Sequence, residues 1–314
     1  MITFYKKRKF DALLSDTFTF VKIYGKSYFK NYFAINGIII SLLLIIISLG
    51  YGEIIQQYLS GNANGEIYLF EQYLDHNKLL LGISTTISVI LFLIFSIINY
   101  SFPILYIKRL AETKVSKISL AESTQDLKTN FLSLILFFIT TLLFIGVLSV
   151  FLFAISSYSA LFTVVFFLLL LALPVLINII NFAFYDYIFA KRSIISSFIK
   201  ACNIQFSKNF GKYYLSTLLL YFIIQIILSI FTFIPLLLSM FLSLSIVDFS
   251  QKPDASAEFL MMIVIVIYLI SITGGIILGN LLYINTGLMY FDSREDLHQK
   301  EALQEIEMIG NNEK

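Results

Sequence analysis

The chain has 314 residues, of which 58% are hydrophobic and only 13% are charged, and its mean hydropathy is +0.86. Soluble globular domains are about 45–50% apolar and about 25% charged, so this composition excludes a soluble protein and predicts a polytopic membrane protein. The single cysteine, Cys202, excludes an internal disulfide and any metal site that needs several cysteines.

Uncharged windows of about 20 residues, the length that crosses about 30 Å of hydrocarbon, mark the expected helices. They predict crossings at 32–50, 79–107, 213–247 and 259–291. The stretch 129–185 has no charge and is too long for one crossing, so we expect the polar cluster at 156–159 to turn a third helix into a fourth. The predicted fold class is all-α, with six transmembrane helices in residues 1–291 and an acidic cytoplasmic tail at 292–314.

The positive charges predict the orientation, because Lys and Arg are retained on the cytoplasmic side of a membrane. Of the 22 basic residues, 20 fall in the N-terminal segment, in the connections after the second and fourth helices, and in the tail. The other two, Lys78 and Lys252, lie in connections that are acidic overall. We therefore expect both termini in the cytoplasm.

The crossings are predicted to form three hairpins, at about 32–107, 131–187 and 213–291, each preceded by a basic amphipathic interfacial helix on the cytoplasmic side. Each hairpin is entered through an Asn-aromatic junction, and the third is the clearest, because apolar and polar residues alternate with helical spacing before Lys208-Asn209-Phe210. We expect that helix to run straight into its crossing. Before the second hairpin, Ser119 and Glu122 have the spacing of a capping box.

The second helix of each predicted hairpin, here called the return helix, contains asparagines. An amide that faces lipid is costly there. The asparagines are Asn99, Asn178, Asn181, Asn280 and Asn285. Two interpretations stay open: hydrogen bonds between helices, or a polar groove, shared with Asp186, that binds a lipid headgroup or a small solute. We also expect Asn99, Asn181 and Asn285 to converge at one depth inside the bundle, because each precedes a basic exit residue by nine or ten positions.

The acidic residues nearest the crossings are Asp186 and Asp292. Each either pairs with a neighbouring Lys191, Arg192 or Arg294, or relays protons. The chain has no HExxH, Walker or CxxC motif, and its two histidines fall on opposite sides of the predicted membrane. We therefore expect no catalytic residue, no metal and no cofactor.

Two further features bear on packing and partners. Gly275 and Gly279 have the GxxxG spacing that lets helices approach closely. The tail has the composition of an exposed helix with a narrow apolar strip, which is either solvated or docks a protein partner through residues 292–310. The predicted contacts with anionic lipid headgroups are Lys191, Arg192, Lys200 and Lys208. We expect no nucleic-acid partner.

Two stretches, SIISSFIKACNIQFSKNF and GLMYFDSRE, resemble segments of YciC-like bacterial integral membrane proteins and of the membrane domain attached to some glycerophosphodiester phosphodiesterases. The resemblance covers about Ser15 to Asp296. It implies a six-helix bundle with interfacial helices in the bacterial cytoplasmic (inner) membrane, and no assigned chemistry. The phosphodiesterase domain of the fused proteins is not part of this sequence, so their activity is not implied.

These observations favour a non-enzymatic membrane scaffold or accessory subunit of a membrane complex, whose basic helices lie on anionic lipid. The alternative is a transporter or channel for a small or lipidic solute, with the asparagine groove as its path. A third class, an enzyme that acts on lipid headgroups, has the least support in the sequence.

Overall fold

The computed structural model describes residues 2–64, 74–113, 115, 117–156, 159–245 and 255–312, and this part of the chain is helical with no strand. The helices are α1 (Phe10–Asn64), α2 (Lys78–Thr113), α3 (Leu120–Ser156), α4 (Ser159–Ala190), α5 (Ile194–Gln205), α6 (Phe210–Ser245) and α7 (Ala255–Asn312).

Six of the described helices contain a segment long and apolar enough to cross a membrane, which confirms the predicted all-helical, multi-pass class. Large apolar side chains on these segments stay exposed, among them Leu79, Val147 and Phe153. Such a surface suits hydrocarbon better than water. The six segments are Phe10–Ile46, Lys78–Thr113, Leu120–Ala154, Phe167–Ala190, Phe210–Ile234 and Leu269–Glu295.

Local signals located two helix boundaries well. Helix α3 ends at Ser156 and α4 begins at Ser159, where the polar cluster predicted a turn. The capping box at the start of α3 is also confirmed: Ser119 N donates to Glu122 Oε2 (2.8 Å), and Glu122 N donates to Ser119 Oγ (3.2 Å).

The amphipathic segments before the three hairpins differ in whether they continue into the crossing that follows, and one of them differs from the prediction. The segments before the first two hairpins are the N-terminal parts of α1 and α3, which continue into their crossings without interruption. The third, α5, is a separate helix, and the expectation that it runs straight through Lys208 is wrong. The chain turns between Gln205 and Phe210, where Ser207 Oγ accepts a bond from Asn209 N (3.2 Å). A serine hydroxyl of this kind competes with helical hydrogen bonding.

The chain divides into two compact units. Unit 1 contains Met1–Phe29, Tyr100–Ile224 and Leu278–Lys314, and unit 2 contains Lys30–Asn99 and Gln225–Ile277. All Lys and Arg residues except Lys30, Lys78 and Lys252 belong to unit 1. The basic ends of the helices therefore lie together in one compact unit.

The core of unit 1 is aromatic, and the return helices α2, α4 and α7 meet in it. The ring of Tyr100 stacks on Phe184, with centroids 5.0 Å apart, and meets the edge of Tyr283 at 5.3 Å. The rings of Tyr185 and Tyr290 also stack, at 5.4 Å. Offset and edge-on ring pairs of this kind stabilise by about 0.5–1.5 kcal/mol beyond their buried area.

The closest approach in this core occurs at Gly287. A β-carbon there would meet the Tyr185 hydroxyl, with Tyr185 Cζ at 2.8 Å and Ile107 Cδ1 at 3.2 Å. The GxxxG pair chosen from sequence is not a close contact of this kind. A β-carbon at Gly275 would meet Leu228 at an ordinary 3.6 Å, and one at Gly279 would meet no atom within 4 Å.

Replacing Gly287 with alanine should therefore destabilise the protein, because the Tyr185 ring is packed and cannot move away freely. We expect a loss of about 1–3 kcal/mol, as for other overpacked cores. The matched control is Gly279→Ala on the same helix, which should be neutral or stabilise by up to about 1 kcal/mol through helix propensity. Unfolding of both variants in detergent is the measurement, and equal stability for the two would contradict the contact.

Candidate functional site

Asp292, in α7, is fully buried and accepts three hydrogen bonds. Its Oδ1 accepts from Arg8 N (2.5 Å), and its Oδ2 accepts from Lys212 Nζ (2.6 Å) and from the Tyr213 hydroxyl (2.6 Å). Lys212 Nζ also donates to the Arg8 carbonyl (2.9 Å). The carboxylate is thus paired with a cation and fully hydrogen-bonded, as a buried charge requires.

The second part of this cluster is Arg8, whose side chain is completely buried. Its Nη2 donates to Thr3 O (2.5 Å), its Nη1 to Phe4 O (2.7 Å) and Lys6 O (3.2 Å), and its Nε to Asp16 Oδ2 (2.9 Å). The N-terminal segment is therefore folded around one guanidinium and attached to α7 at Asp292, near the end of the span Leu269–Glu295. A basic N-terminal segment is usually solvated, so sequence reasoning missed this role.

Asp186, in α4, is also fully buried, and two arginines approach it. Arg192 Nη1 lies 3.3 Å from Asp186 Oδ2, and Arg294 Nη1 lies 3.9 Å from Asp186 Oδ1. Tyr290 links the group, because its hydroxyl donates to Asp186 Oδ1 (3.4 Å) and accepts from Arg294 Nη1 (2.7 Å). The predicted pairing of Asp186 with Arg192 or Arg294 is confirmed. For Asp292 the partners are Lys212 and Tyr213 instead.

The asparagines of the return helices bond mainly to α1 and α6, the first helices of the first and third hairpins, which we call the outgoing helices. Four of the five amide oxygens accept a hydrogen bond from a hydroxyl on one of those helices, which supports the interpretation as interhelical bonds. The pairs are Asn99 with Tyr32 (2.5 Å), Asn280 with Tyr28 (2.6 Å), Asn178 with Thr217 (2.6 Å), and Asn285 with Thr17 (3.2 Å) and Ser216 (3.3 Å).

The fifth amide differs, since Asn181 is buried and its Oδ1 has no hydrogen-bond partner in the described part of the chain. For Asn99, Asn181 and Asn285, the depth inside the bundle predicts pairing with the other asparagines, with Ser101 or Thr286, or with backbone carbonyls freed by Pro103. The observed partners are hydroxyls on the helices that lead into the hairpins. The described bonds divide the other four groove asparagines among separate pairs, and Asp186 is engaged by arginines.

Helix α5 holds one of the four predicted lipid contacts, Lys200; Lys191 and Arg192 precede the helix and Lys208 follows it. In a soluble protein the apolar face of an amphipathic helix packs inward and the polar face is exposed, and α5 has the opposite arrangement. The side packed against the protein is small and polar, with Ser197, Ala201, Ile204 and Gln205 buried. The apolar side is exposed, with Ile195 75% and Ile199 60% accessible. Lys191 and Lys208 are exposed, and Lys200 and Arg192 are half-buried.

A further ion pair, between α2 and α3, was not predicted. Arg109 donates from Nε and Nη2 to the two carboxylate oxygens of Asp126, both at 2.6 Å. This two-pronged geometry is the strongest form of such a pair. The positive-inside pattern gives the side on which Arg109 lies, but no sequence signal gives its partner.

No family model, no curated protein and no solved structure matches the chain. The fold and the site define a class, a multi-pass helical membrane protein with its basic residues concentrated in one unit. Among the described residues, no group of His, Cys, Asp and Glu is arranged to hold a metal ion.

The Asp292 cluster predicts a large effect for a small change. Asp292→Asn should leave the Lys212 ammonium without a counter-charge and cost about 2–4 kcal/mol of stability, a little below a fully buried pair because Lys212 keeps some exposure. Lys212→Met should reduce that cost in the double variant, because the orphaned charge is then absent. Unfolding free energies for the three variants in a lipid-mimetic micelle are the measurement.

The matched control for that cycle is Asp75→Asn. Asp75 pairs with Lys78 at 2.9 Å, but both side chains are about 70% exposed, so the change should cost less than about 1 kcal/mol. A cost for Asp292→Asn no greater than for Asp75→Asn would show that the buried cluster does not hold the N-terminal segment.

Proposed function

We propose that the protein is a non-enzymatic scaffold or accessory subunit of a membrane complex, with its basic unit lying on anionic lipid. In this proposal the six spans form three hairpins in the bacterial cytoplasmic membrane, and both termini are cytoplasmic. The resemblance to YciC-like proteins is consistent with this proposal and remains a prediction.

The exposed apolar face of α5 is the observation on which the proposal rests. Ile195 and Ile199 on this helix, and Phe206 at its C-cap, are largely exposed, although each is large and apolar. Lys200 lies on the same helix, and Lys191 and Lys208 flank it. A helix with an outward apolar face and flanking lysines suits the boundary between acyl chains and anionic headgroups.

The distribution of charge supports placing unit 1 at the cytoplasmic leaflet. Unit 1 contains nearly all of the basic residues, whereas unit 2 contains Lys30, Lys78 and Lys252. Basic residues near an anionic leaflet contribute about 1 kcal/mol each to its attraction, so the unit 1 ends are better placed at the cytoplasmic leaflet than at the outer one.

The use of the polar residues supports a structural role. Asp186 and Asp292, the candidate acids for proton transfer, are held in ion pairs, and four asparagine oxygens are occupied by hydroxyls of other helices. Such contacts fix helices against one another. The transporter alternative needs those amides to be released toward a solute. A protein partner for the tail at 292–310 remains part of the proposal.

The orientation predicts which cysteines an impermeant thiol reagent reaches in intact cells. Asn64→Cys, in a Cys202→Ser background, should be labelled from outside, because α1 has crossed the membrane by that point in the proposed topology. Native Cys202 should be labelled only after the cells are permeabilised. Labelling of Cys202 in intact cells would place α5 on the outer side and overturn the proposal.

The lipid contact predicts a charge-dependent lipid preference. The full-length protein with Lys200→Gln and Lys208→Gln should retain less phosphatidylglycerol relative to phosphatidylcholine after purification from mixed bilayers, by about 1 kcal/mol per lysine at most. Native mass spectrometry of the bound lipids is the measurement. Lys78→Gln, which removes an exposed lysine at the start of α2, is the control and should leave the ratio unchanged.

A further inference from the structure

Two guanidinium groups share one buried carboxylate near the end of α4 and the end of the span Leu269–Glu295 in α7, and this leaves a local excess of positive charge. The nearest contacts to Asp186 are long, 3.3 Å for Arg192 and 3.9 Å for Arg294. The carboxylate of Asp292, by comparison, has two side-chain donors at 2.6 Å. One carboxylate can balance only one of the two guanidinium charges, so the pair of arginines keeps a net positive charge.

Both arginines keep unused donors. Arg192 and Arg294 each contact their partners through Nη1, and in the described part of the chain neither Nε nor Nη2 of either residue has a protein acceptor. Their side chains are 38% and 23% exposed, so both residues reach the surface of the protein. A guanidinium presents its nitrogens as a rigid fork that matches the oxygens of a phosphate.

The surrounding residues fix the two forks in place. The Tyr290 hydroxyl accepts from Arg294, and the Arg294 guanidinium also lies over the Tyr290 ring at 5.6 Å. Arg192 lies in a connection of three residues between α4 and α5. It follows Lys191, whose φ of 50° is a left-handed conformation that glycine or asparagine normally adopts after a helix. Ser193 then caps α5.

The position of the pair matches the level of lipid headgroups. Arg192 follows the span Phe167–Ala190 by two residues, and Arg294 is next to last in the span Leu269–Glu295. Lys191 and Lys108 add positive charge nearby, since Lys108 Nζ lies 3.4 Å from the Ile188 carbonyl. Glu295 is adjacent to Arg294 in sequence, but consecutive helical residues point in different directions.

We propose that Arg192 and Arg294 form a binding site for a phosphate group, and that its ligand is the phosphomonoester headgroup of an anionic lipid. A monoester suits the pair better than a diester, because it has about −1.5 to −2 charges and three acceptor oxygens. This site rests on the proposed function, because the proposed function is what places the ends of these two spans at an anionic leaflet.

The test measures binding of short-chain phosphatidic acid and phosphatidylglycerol to the full-length protein in detergent. Arg192→Lys with Arg294→Lys keeps both charges and a cation beside Asp186 but removes the forks. It should weaken phosphatidic acid binding about tenfold, the range for charge-assisted hydrogen bonds, and change phosphatidylglycerol binding much less. Tyr290→Phe should weaken phosphatidic acid binding to a smaller extent, because Arg294 loses an orienting partner.

Two controls separate this site from general attraction. The double variant Lys200→Gln, Lys208→Gln should weaken the binding of phosphatidic acid and of phosphatidylglycerol by the same factor. If that variant lowers lipid binding while the arginine variant does not, the proposed function stands and the phosphate site is wrong. If the wild-type protein prefers neither anionic lipid over phosphatidylcholine, the proposed function fails as well.

Inorganic phosphate distinguishes the source of the ligand. Weak competition by free phosphate, lost in the arginine variant, would support a site that recognises phosphate and gains affinity from the lipid tail. Binding of free phosphate as tight as that of phosphatidic acid would overturn the assignment to a lipid. Unchanged discrimination between the two lipids in the arginine variant would overturn the site itself.

Discussion

The buried charge of Asp292 is the constraint on which much of unit 1 depends. A carboxylate removed from water must have a counter-charge and hydrogen-bond donors, or it destabilises the fold. Lys212, Tyr213 and the backbone of Arg8 supply them. Because these groups come from the start of α6 and from the N-terminal segment, one ionic requirement attaches two distant parts of the sequence to the end of the span Leu269–Glu295 in α7.

The rest of the bundle follows from the weak hydrophobic driving force between helices in lipid, where association depends on packing and on interhelical hydrogen bonds. Amides on the return helices meet hydroxyls on the outgoing ones, as Asn285 meets Thr17 and Ser216. Aromatic rings and the close approach at Gly287 add tight packing to these bonds. An arrangement of this kind holds helices in register, which suits a scaffold better than a moving transporter.

The sequence predicted those features that depend on local composition. Six apolar windows, the turn at Ser156 and the capping box at Ser119 are all set within a few neighbouring residues. Contacts that depend on tertiary approach were not predictable. The GxxxG pattern pointed to Gly279, while the tight contact is at Gly287, because only the position of Tyr185 decides which glycine is needed. Periodicity also found the apolar face of α5 and predicted an interfacial helix, but it did not show that Ser197 and Gln205 on the other face are buried against the protein, because a polar face is ordinarily solvated.

The two buried aspartates differ in a way that bears on selectivity. Asp292 has short bonds from a lysine and a tyrosine, and that lysine is also bonded to the Arg8 carbonyl. Asp186 has two arginines at longer distances, each with nitrogens left over. An ion pair whose donors are all bonded within the protein contributes stability and offers little to a ligand. An ion pair with unused donors holds them in a fixed geometry to which an outside anion can bind. The basic unit is therefore not uniform: in the proposed function, general attraction comes from the lysines around α5, and discrimination among anionic lipids depends on Arg192 and Arg294, which share the carboxylate of Asp186.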